Sequence, residues 1–338
     1  MLIDARHTDL PAPEALAFSP EPVEFGVVAE SPDWIVVNKP AGLVTHPGAG
    51  NWSGTLLNGL LHRYPELAQV ARAGIVHRLD KDTSGLMVVA RNETAQTHLV
   101  RQLQARSMGR EYVALAHGWL AAAGKVDRPI GRDARVPVRM SVERPVAPKP
   151  AVTHYAPARR GQVEPGGRVT EVVCRLETGR THQIRVHFSA LRHPCCGDLT
   201  YGADPTLARK LGLERQWLHA RSLGFAHPAD GRQVEFTSSY PEDLQHALEV
   251  LRATMADVHA AVEDWPKLRA AMQADAAVFR TGKTLEEGVQ KLRSIEAAGA
   301  DIKTTDRGLI WNTDLIETLE LDNLMAQANA TMVSAEAR

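Results

Sequence analysis

The chain has 338 residues, a formal net charge of −1, 44% apolar residues and three cysteines, Cys174, Cys195 and Cys196. That composition excludes a disordered chain and a disulfide framework. No run of about 18 apolar residues suggests a membrane span, and Met1-Leu2-Ile3-Asp4-Ala5-Arg6 lacks the basic start and apolar stretch of a secretory signal. A reducing, cytoplasmic setting fits best. The near-neutral total hides a gradient. Between residues 25 and 255, 29 Lys and Arg stand against 21 Asp and Glu, with twelve of the fourteen histidines, while both flanks are acidic. An Arg-rich middle suits phosphate, because the guanidinium fork binds it bidentately.

Residues 1 to 24, proline-bearing and acidic with no clear period, read as a mobile lead-in. From Phe25 the pattern turns to strands. Phe25–Ala29 and Trp34–Asn38 are short β-branched runs joined by Ser31-Pro32-Asp33, a hairpin signal. Leu56, Leu57, Leu60 and Leu61 predict a helix over Thr55 to Tyr64, with Thr55 near its N-cap. Gly74 to Ala90 reads as two apolar strand pieces around a polar loop. Glu93 to Met108 reads as a second amphipathic helix. Strands are expected over Glu111 to Leu120, Val152 to Ala156 and Arg168 to Glu177, with loops and short strands between 121 and 150. Thr181 to Leu191 reads as another strand, and Leu244, Leu248 and Leu251 mark a helix over Leu244 to Met255. Beyond Trp265, Leu285, Val289 and Leu292, and then Leu321, Met325 and Ala328, recur at helical spacing. The mixture predicts an α+β fold with a largely antiparallel sheet and a C-terminal helical appendage.

Two stretches carry chemistry. The loop inside Gly74 to Ala90 holds two carboxylates, Asp80 and Asp82, and two cations, Arg78 and Lys81. Charged groups within an apolar frame are costly unless paired and gather where chemistry happens, although Asp, Thr, Ser and Gly also suit an ordinary turn. The second stretch is Gly179-Arg180-Thr181-His182-Gln183-Ile184-Arg185-Val186-His187-Phe188. Read as a strand, it sends Ile184, Val186 and Phe188 into the core and Gln183, Arg185 and His187 to the other face. A metal site built from His182, His187, His193, Cys195 and Cys196 is disfavoured, because His182 and His187 then point to opposite faces. His46 to Gly54 is glycine-rich, but its Gly-x-Gly-x-x-x-Gly spacing lacks both the dinucleotide fingerprint and the strand-to-helix setting that fingerprint needs.

His77-Arg78-Leu79-Asp80-Lys81-Asp82-Thr83-Ser84-Gly85 resembles the signature of the pseudouridine synthases of the ribosomal large-subunit type, and Gly179-Arg180-Thr181-His182-Gln183-Ile184-Arg185-Val186-His187 resembles a second motif of that family. Arg110-Glu111-Tyr112 matches a third. Lys39-Pro40-Ala41-Gly42-Leu43-Val44, Gly197-Asp198-x-x-Tyr201-Gly202 and Leu218-His219-Ala220 extend the likeness from about residue 25 to about 265. His46-Pro47-Gly48-Ala49-Gly50-Asn51 and Arg72-Ala73-Gly74-Ile75-Val76 bring it nearest to bacterial members that modify a hairpin of large-subunit ribosomal RNA. The resemblance implies the synthase fold with a central catalytic cleft and isomerisation of uridine to pseudouridine in RNA. It implies Asp80 as catalytic residue, Tyr112 against the target base and Arg185 paired with the catalytic carboxylate. Lys39, His77, Arg78, Arg180, His182 and Gln183 are expected to contact RNA. An adjacent Arg lowers an Asp pKa by about 1–3 units, which suits an ionised Asp80. The N1–C1′ bond breaks, the base turns and C5 joins C1′, with no redox change, so no cofactor and no metal are expected. Covalent attack by Asp80 and proton removal from the sugar both remain open.

Two departures from the family pattern stand out. The chain is expected to lack the small basic S4-type module that precedes many relatives. Its tail, through Ala276–Gly282 and Asp306–Leu321, resembles the helical C-terminal region of succinate dehydrogenase flavoprotein subunits without their flavin-binding part. The expected organisation is therefore a lead-in over 1–24, a catalytic domain over 25–265 and a helical tail over 266–338. RNA, as a ribosomal hairpin or pre-ribosomal particle, is the expected partner. A cytoplasmic monomer is expected, with the tail as a surface for association. The alternatives are a catalytically silent RNA-binding protein on the same fold, which the intact Asp80, Tyr112 and Arg185 argue against, and a flavoprotein oxidoreductase fragment, which lacks any dinucleotide loop.

Overall fold

Two short β-branched runs, Gly26–Glu30 (β1) and Trp34–Lys39 (β2), pair antiparallel as the hairpin signal required. A computed structural model describes residues 18–48, 50–165 and 167–258. The expected tail over 266–338, and the lead-in as far as residue 17, lie outside these residues. Contacts divide the chain into two units. One comprises the described residues up to Gly109 together with Ala220–Ser239; the other comprises Arg110–His219 and the described residues from Tyr240 onward. In the first unit, helix Leu56–Arg63 (α1) follows β2, then strand Ser84–Ala90 (β3) and helix Glu93–Gln104 (α2). Strand Gly109–His117 (β4) leads into the second unit. There follow strands Gly124–Asp127 (β5), Ile130–Asp133 (β6), Met140–Ser141 (β7), Pro145–Lys149 (β8), Val152–Val163 (β9) and Gly167–Leu176 (β10). Helices Gln183–Ala190 (α3) and Pro205–Lys210 (α4) come next. Strands Leu218–Ala226 (β11) and Gln233–Thr237 (β12), helix Glu242–Leu251 (α5) and the short strand Ala256–Asp257 (β13) complete the described chain.

In the first unit β2 also pairs antiparallel with β3, and β11 with β12. Every residue of β3 is buried, so its sequence runs apolar without alternation. Helix α2 lays Ala95 and Leu99 against Trp34, Val36, Leu86, Val88 and Phe225. Asn92 caps it by accepting from the Ala95 N–H at 2.8 Å, and Thr55 and Asn58 form a reciprocal capping box at the start of α1. The chain is held before Phe25: Asn58 Nδ2 donates to the Ser19 carbonyl at 2.8 Å and Glu21 N–H to the Asn58 carbonyl at 3.1 Å. The lead-in expected over 1–24 thus gives way to structured chain by Ser19.

In the second unit β10 lies between β4 and β9, antiparallel to both, and β5 and β13 pair with β9. A small antiparallel sheet has the order β7-β6-β8. The core gathers Val113, Leu115, Trp217, Leu207 and Leu211 under the Leu244, Ala247 and Leu251 face of α5. Trp217 Nε1 donates to the Leu244 carbonyl at 3.0 Å, which satisfies the indole as it is buried. Cys174, Cys195 and Cys196 are all fully buried in this unit. Among the described residues no helix is long and apolar enough to cross a membrane.

Two expectations are corrected. Residues 183–190 form helix α3 instead of a strand. Gln183 to Phe188 are buried without exception, so the segment has no solvent face and its apparent alternation was incidental; Ile184 and Phe188 also sit one helical turn apart. The chain before Asp80 is not a strand either. Ile75 makes a single bridge to Val89, and Arg72 (φ 56°), Ala73 (φ 49°) and Gly74 (φ 75°) are consecutively left-handed just before it, which breaks any ladder.

Candidate active site

The residues singled out from the sequence fall into two sets, one in each unit. In the first unit, Asp80 sits half-buried on the loop between Ile75 and β3, with exposed Arg78 and Lys81 on either side. A side chain fixes the backbone on each flank of Asp80. Thr45 Oγ1 donates to the Leu79 carbonyl at 2.9 Å. Lys39 Nζ donates to the Lys81 carbonyl at 2.9 Å, and also to the carbonyls of Pro40 and Leu43 at 2.9 and 2.8 Å. The turn closes through Thr83 N–H on the Asp80 carbonyl at 3.1 Å. After it the chain passes Gly85 at φ +119°, where a Cβ would lie 2.3 Å from the Ala220 carbonyl oxygen. His77 accepts from the Val88 N–H at Nε2, 3.1 Å away, which ties the start of the loop to β3.

Lys39 is 0% exposed, so it does not offer its ammonium to RNA as expected. It acts as a buried brace for the loop. His46, next in the glycine-rich stretch, is pushed down to about 4 by burial and by the charges of Arg78 and Arg72. It is therefore neutral at pH 7, and the cations there are the arginines.

In the second unit, Tyr112 is buried on β4 opposite Cys174 of β10. Next to it Glu111 accepts from Arg175 at 3.1 and 3.2 Å. The other residues of this set gather at the start of α3. His182, at φ 55°, is the left-handed residue from which the helix begins, and its Nδ1 lies 2.7 Å from Tyr201 Oη. Gln183 is buried, accepting from Thr178 Oγ1 and Arg180 N–H and donating to the Val152 carbonyl and Thr153 Oγ1. It folds the motif onto β9 and does not reach out to RNA. Arg180 is exposed, its Nε on the Pro150 carbonyl at 2.9 Å. His187 uses Nδ1 on Thr153 Oγ1 and Nε2 on the Arg128 carbonyl, at 2.9 and 3.0 Å, which spends both ring nitrogens on structure.

Arg185 is buried and forms a two-pronged ion pair with Asp198, Nε to Oδ2 at 2.6 Å and Nη2 to Oδ1 at 3.0 Å. The Tyr201 ring lies 5.0 Å from the guanidinium carbon. Asp198 and Tyr201 were visible as part of a family motif, but nothing in the string gave them a task. The signal was their three-residue spacing beside Gly197, which at φ +81° brings its Cα so close to the Arg215 carbonyl that a Cβ would lie 2.0 Å from the oxygen.

A family model described as RNA pseudouridylate synthase matches residues 33–190. "Ribosomal large subunit pseudouridine synthase D" of Vibrio parahaemolyticus is 51% identical over 239 residues, covering 68% of this chain and 71% of the relative. The chain belongs to the RNA pseudouridylate synthase family. The protein of the same name from Escherichia coli strain K12 is 46% identical over 261 residues, covering 75% of this synthase-family chain and 78% of its relative. For that of Neisseria meningitidis serogroup A the identity is 49%, covering 73% of this chain and 66% of the relative. The chain thus spans just under two thirds of the Neisseria relative's length. Among solved structures, Human RNA Pseudouridylate Synthase Domain Containing 1 superposes with a TM-score of 0.56 at 29% identity, covering 73% of this chain and 94% of that one. Its counterpart Domain Containing 4 has a TM-score of 0.52 at 26% identity, covering 68% and 94%. The match to the family is thus one of fold as well as sequence. Outside the synthase region, a model described as Fumarate reductase flavoprotein C-term matches residues 265–338.

Proposed function

We propose that this chain isomerises specific uridines of large-subunit ribosomal RNA to pseudouridine, with Asp80 as the catalytic carboxylate. The observation that carries the reading is the bracing of Asp80 in a chain of this family: Thr45 and Lys39 hold the carbonyls of Leu79 and Lys81 on its two sides. Catalytic geometry tolerates little slack, and a loop pinned by buried donors supplies the required stiffness. The target base must leave its stack, at a cost of a few kcal/mol. Tyr112 provides a flat face for it, and stacking on an aromatic ring contributes roughly 1–3 kcal/mol per base. Arg185 is the cation we assign to the service of the catalytic carboxylate, while exposed Arg78 holds a phosphate or fills the vacated stack. Asp80 then attacks C1′ or removes a proton from the sugar; on either route the N1–C1′ bond breaks, the base turns, C5 bonds to C1′, and C5 gives up its proton while N1 gains one. RNA is the partner, the cytoplasm the compartment and a monomer the working unit. Residues 266–338 contribute no chemistry to this reaction.

The test is Asp80→Asn. The change is nearly isosteric and removes the charge the chemistry needs, so folding and RNA binding persist while pseudouridine formation on a ribosomal hairpin disappears. Mapping pseudouridines in ribosomal RNA with and without the protein identifies the targets. A variant keeping a tenth of wild-type turnover would remove Asp80 from the central role.

A further inference from the structure

We propose that Asp198 is a positioning residue for the reaction, setting the direction of the Arg185 guanidinium; this rests on the reading that Arg185 serves the catalytic carboxylate. The ion pair uses the Nε–Nη2 edge of the fork, at 2.6 and 3.0 Å. That two-point contact fixes the plane of the guanidinium as well as its place, which a single-point contact does not. The Tyr201 ring, 5.0 Å away, supports the same group. With one edge committed to Asp198, the Nη1 side is aimed in a single direction.

Asp198 is itself held. Its N–H donates to the Cys195 carbonyl at 3.0 Å, and its own carbonyl accepts from Tyr201 and Ala203 N–H at 3.1 and 3.0 Å. Tyr201 is anchored in turn, since Met140 N–H donates to its Oη at 3.0 Å and Ser189 Oγ to its carbonyl at 2.8 Å. Arg185 and Asp198 are 7% and 2% exposed. A buried ion pair is a poor device for stability alone, because desolvation offsets most of its attraction and an apolar pair of like volume does as well. Its gain is orientation, and a supporting group behind a functional side chain needs that.

The experiment uses the full chain with Asp198→Asn, Asp198→Glu, Arg185→Lys, and the double variant Asp198→Asn with Arg185→Lys. Folded fraction is read by circular dichroism, and turnover and KM on a ribosomal RNA hairpin. Per folded molecule, Asp198→Asn is expected to lower turnover about 10- to 100-fold with KM changed less than about threefold. Asp198→Glu keeps the charge pair but lengthens it by a methylene, and should give an intermediate turnover at unchanged KM. If Asp198 acts through Arg185, the double variant is no slower than its slower parent. Losses that multiply in the double variant overturn the proposal, as does wild-type turnover per folded molecule in Asp198→Asn. Should Asp198→Asn fail to fold, Asp198→Glu decides: reduced turnover supports the proposal, and wild-type turnover overturns it. An inactive wild type, or an active Asp80→Asn, defeats instead the pseudouridine reading on which this one rests.

Discussion

A lysine with no exposed surface needs a reason to be charged or a set of acceptors to make it tolerable, and Lys39 has the acceptors. The Pro40, Leu43 and Lys81 carbonyls converge on its ammonium. Lys39→Met keeps the length of the side chain and strands those carbonyls, so stability should fall by about 2–4 kcal/mol. Because one acceptor belongs to the residue after Asp80, turnover should fall as well, even in conditions where the variant is fully folded. Urea unfolding read beside single-turnover rates checks both halves; an unchanged rate would mean that the loop does not depend on its brace. The sequence showed Lys39 as a cation in an Arg-rich chain, which suggested RNA. Burial is what reassigns it, and burial of a lone charged residue leaves no periodic trace in a string. Gln183 was misjudged for the same reason. Asp80 and Arg185 stood out as candidates because each sits within a long run that resembles a family motif.

Elements were legible where one face is wet and the other dry. Helix α1 was found with its Thr55 cap, α2 without its Asn92 cap, and β1, β2 and β10 with approximate ends, because a β-branched run or helical spacing marks them; β9 was read only to Ala156 and continues to Val163. Helix α3 was missed because it has no wet face. The left-handed run Arg72–Gly74 was missed because a backbone conformation is visible in sequence only through glycine, and two of its three members are not glycine. Gly74 can be tested directly. A Cβ there would lie 1.8 Å from the Ala90 carbonyl oxygen, on a backbone at φ +75°. Gly42 has a similar φ of +84° and open space around it. Gly42→Ala should therefore cost about 1 kcal/mol of conformational strain, and Gly74→Ala roughly 3 kcal/mol or more, since the end of β3 must move. Thermal melts of the two variants side by side separate strain from collision; equal losses would refute the steric argument.

At the scale of the molecule, α+β character and antiparallel pairing were predictable, whereas the division into two units was not. The hand-overs at Gly109 and Ala220 fall inside β4 and β11, with no Pro- or Gly-rich linker to mark them. Both units carry histidines that resist protonation. Burial holds His117 and His187 below the ordinary imidazole value, and burial with Arg78 and Arg72 takes His46 to about 4. In the unfolded chain these rings take up protons near pH 6.5, and in the folded one only lower. Their contribution to stability is complete above about pH 7 and is lost as the pH falls through 6.5 toward 4. Melting temperatures should therefore drop between pH 7 and pH 5 at fixed ionic strength. His46→Gln should flatten part of that slope; a slope parallel to wild type would show that His46 is not among its causes.

The three cysteines give the second unit a clock of its own. Cys174, Cys195 and Cys196 are fully buried there, and burial pushes all three thiols well above their usual range. A folded chain therefore offers alkylating reagents neither access nor thiolate. Modification must wait for the unit to open, so the rate of iodoacetamide labelling counts openings of residues 110–219 and their companions from Tyr240 onward. The first unit contains no cysteine among its described residues, so it is silent in the same experiment. Mass spectra taken over time, with and without a ribosomal hairpin, would report whether RNA slows the breathing of the half that carries Arg185.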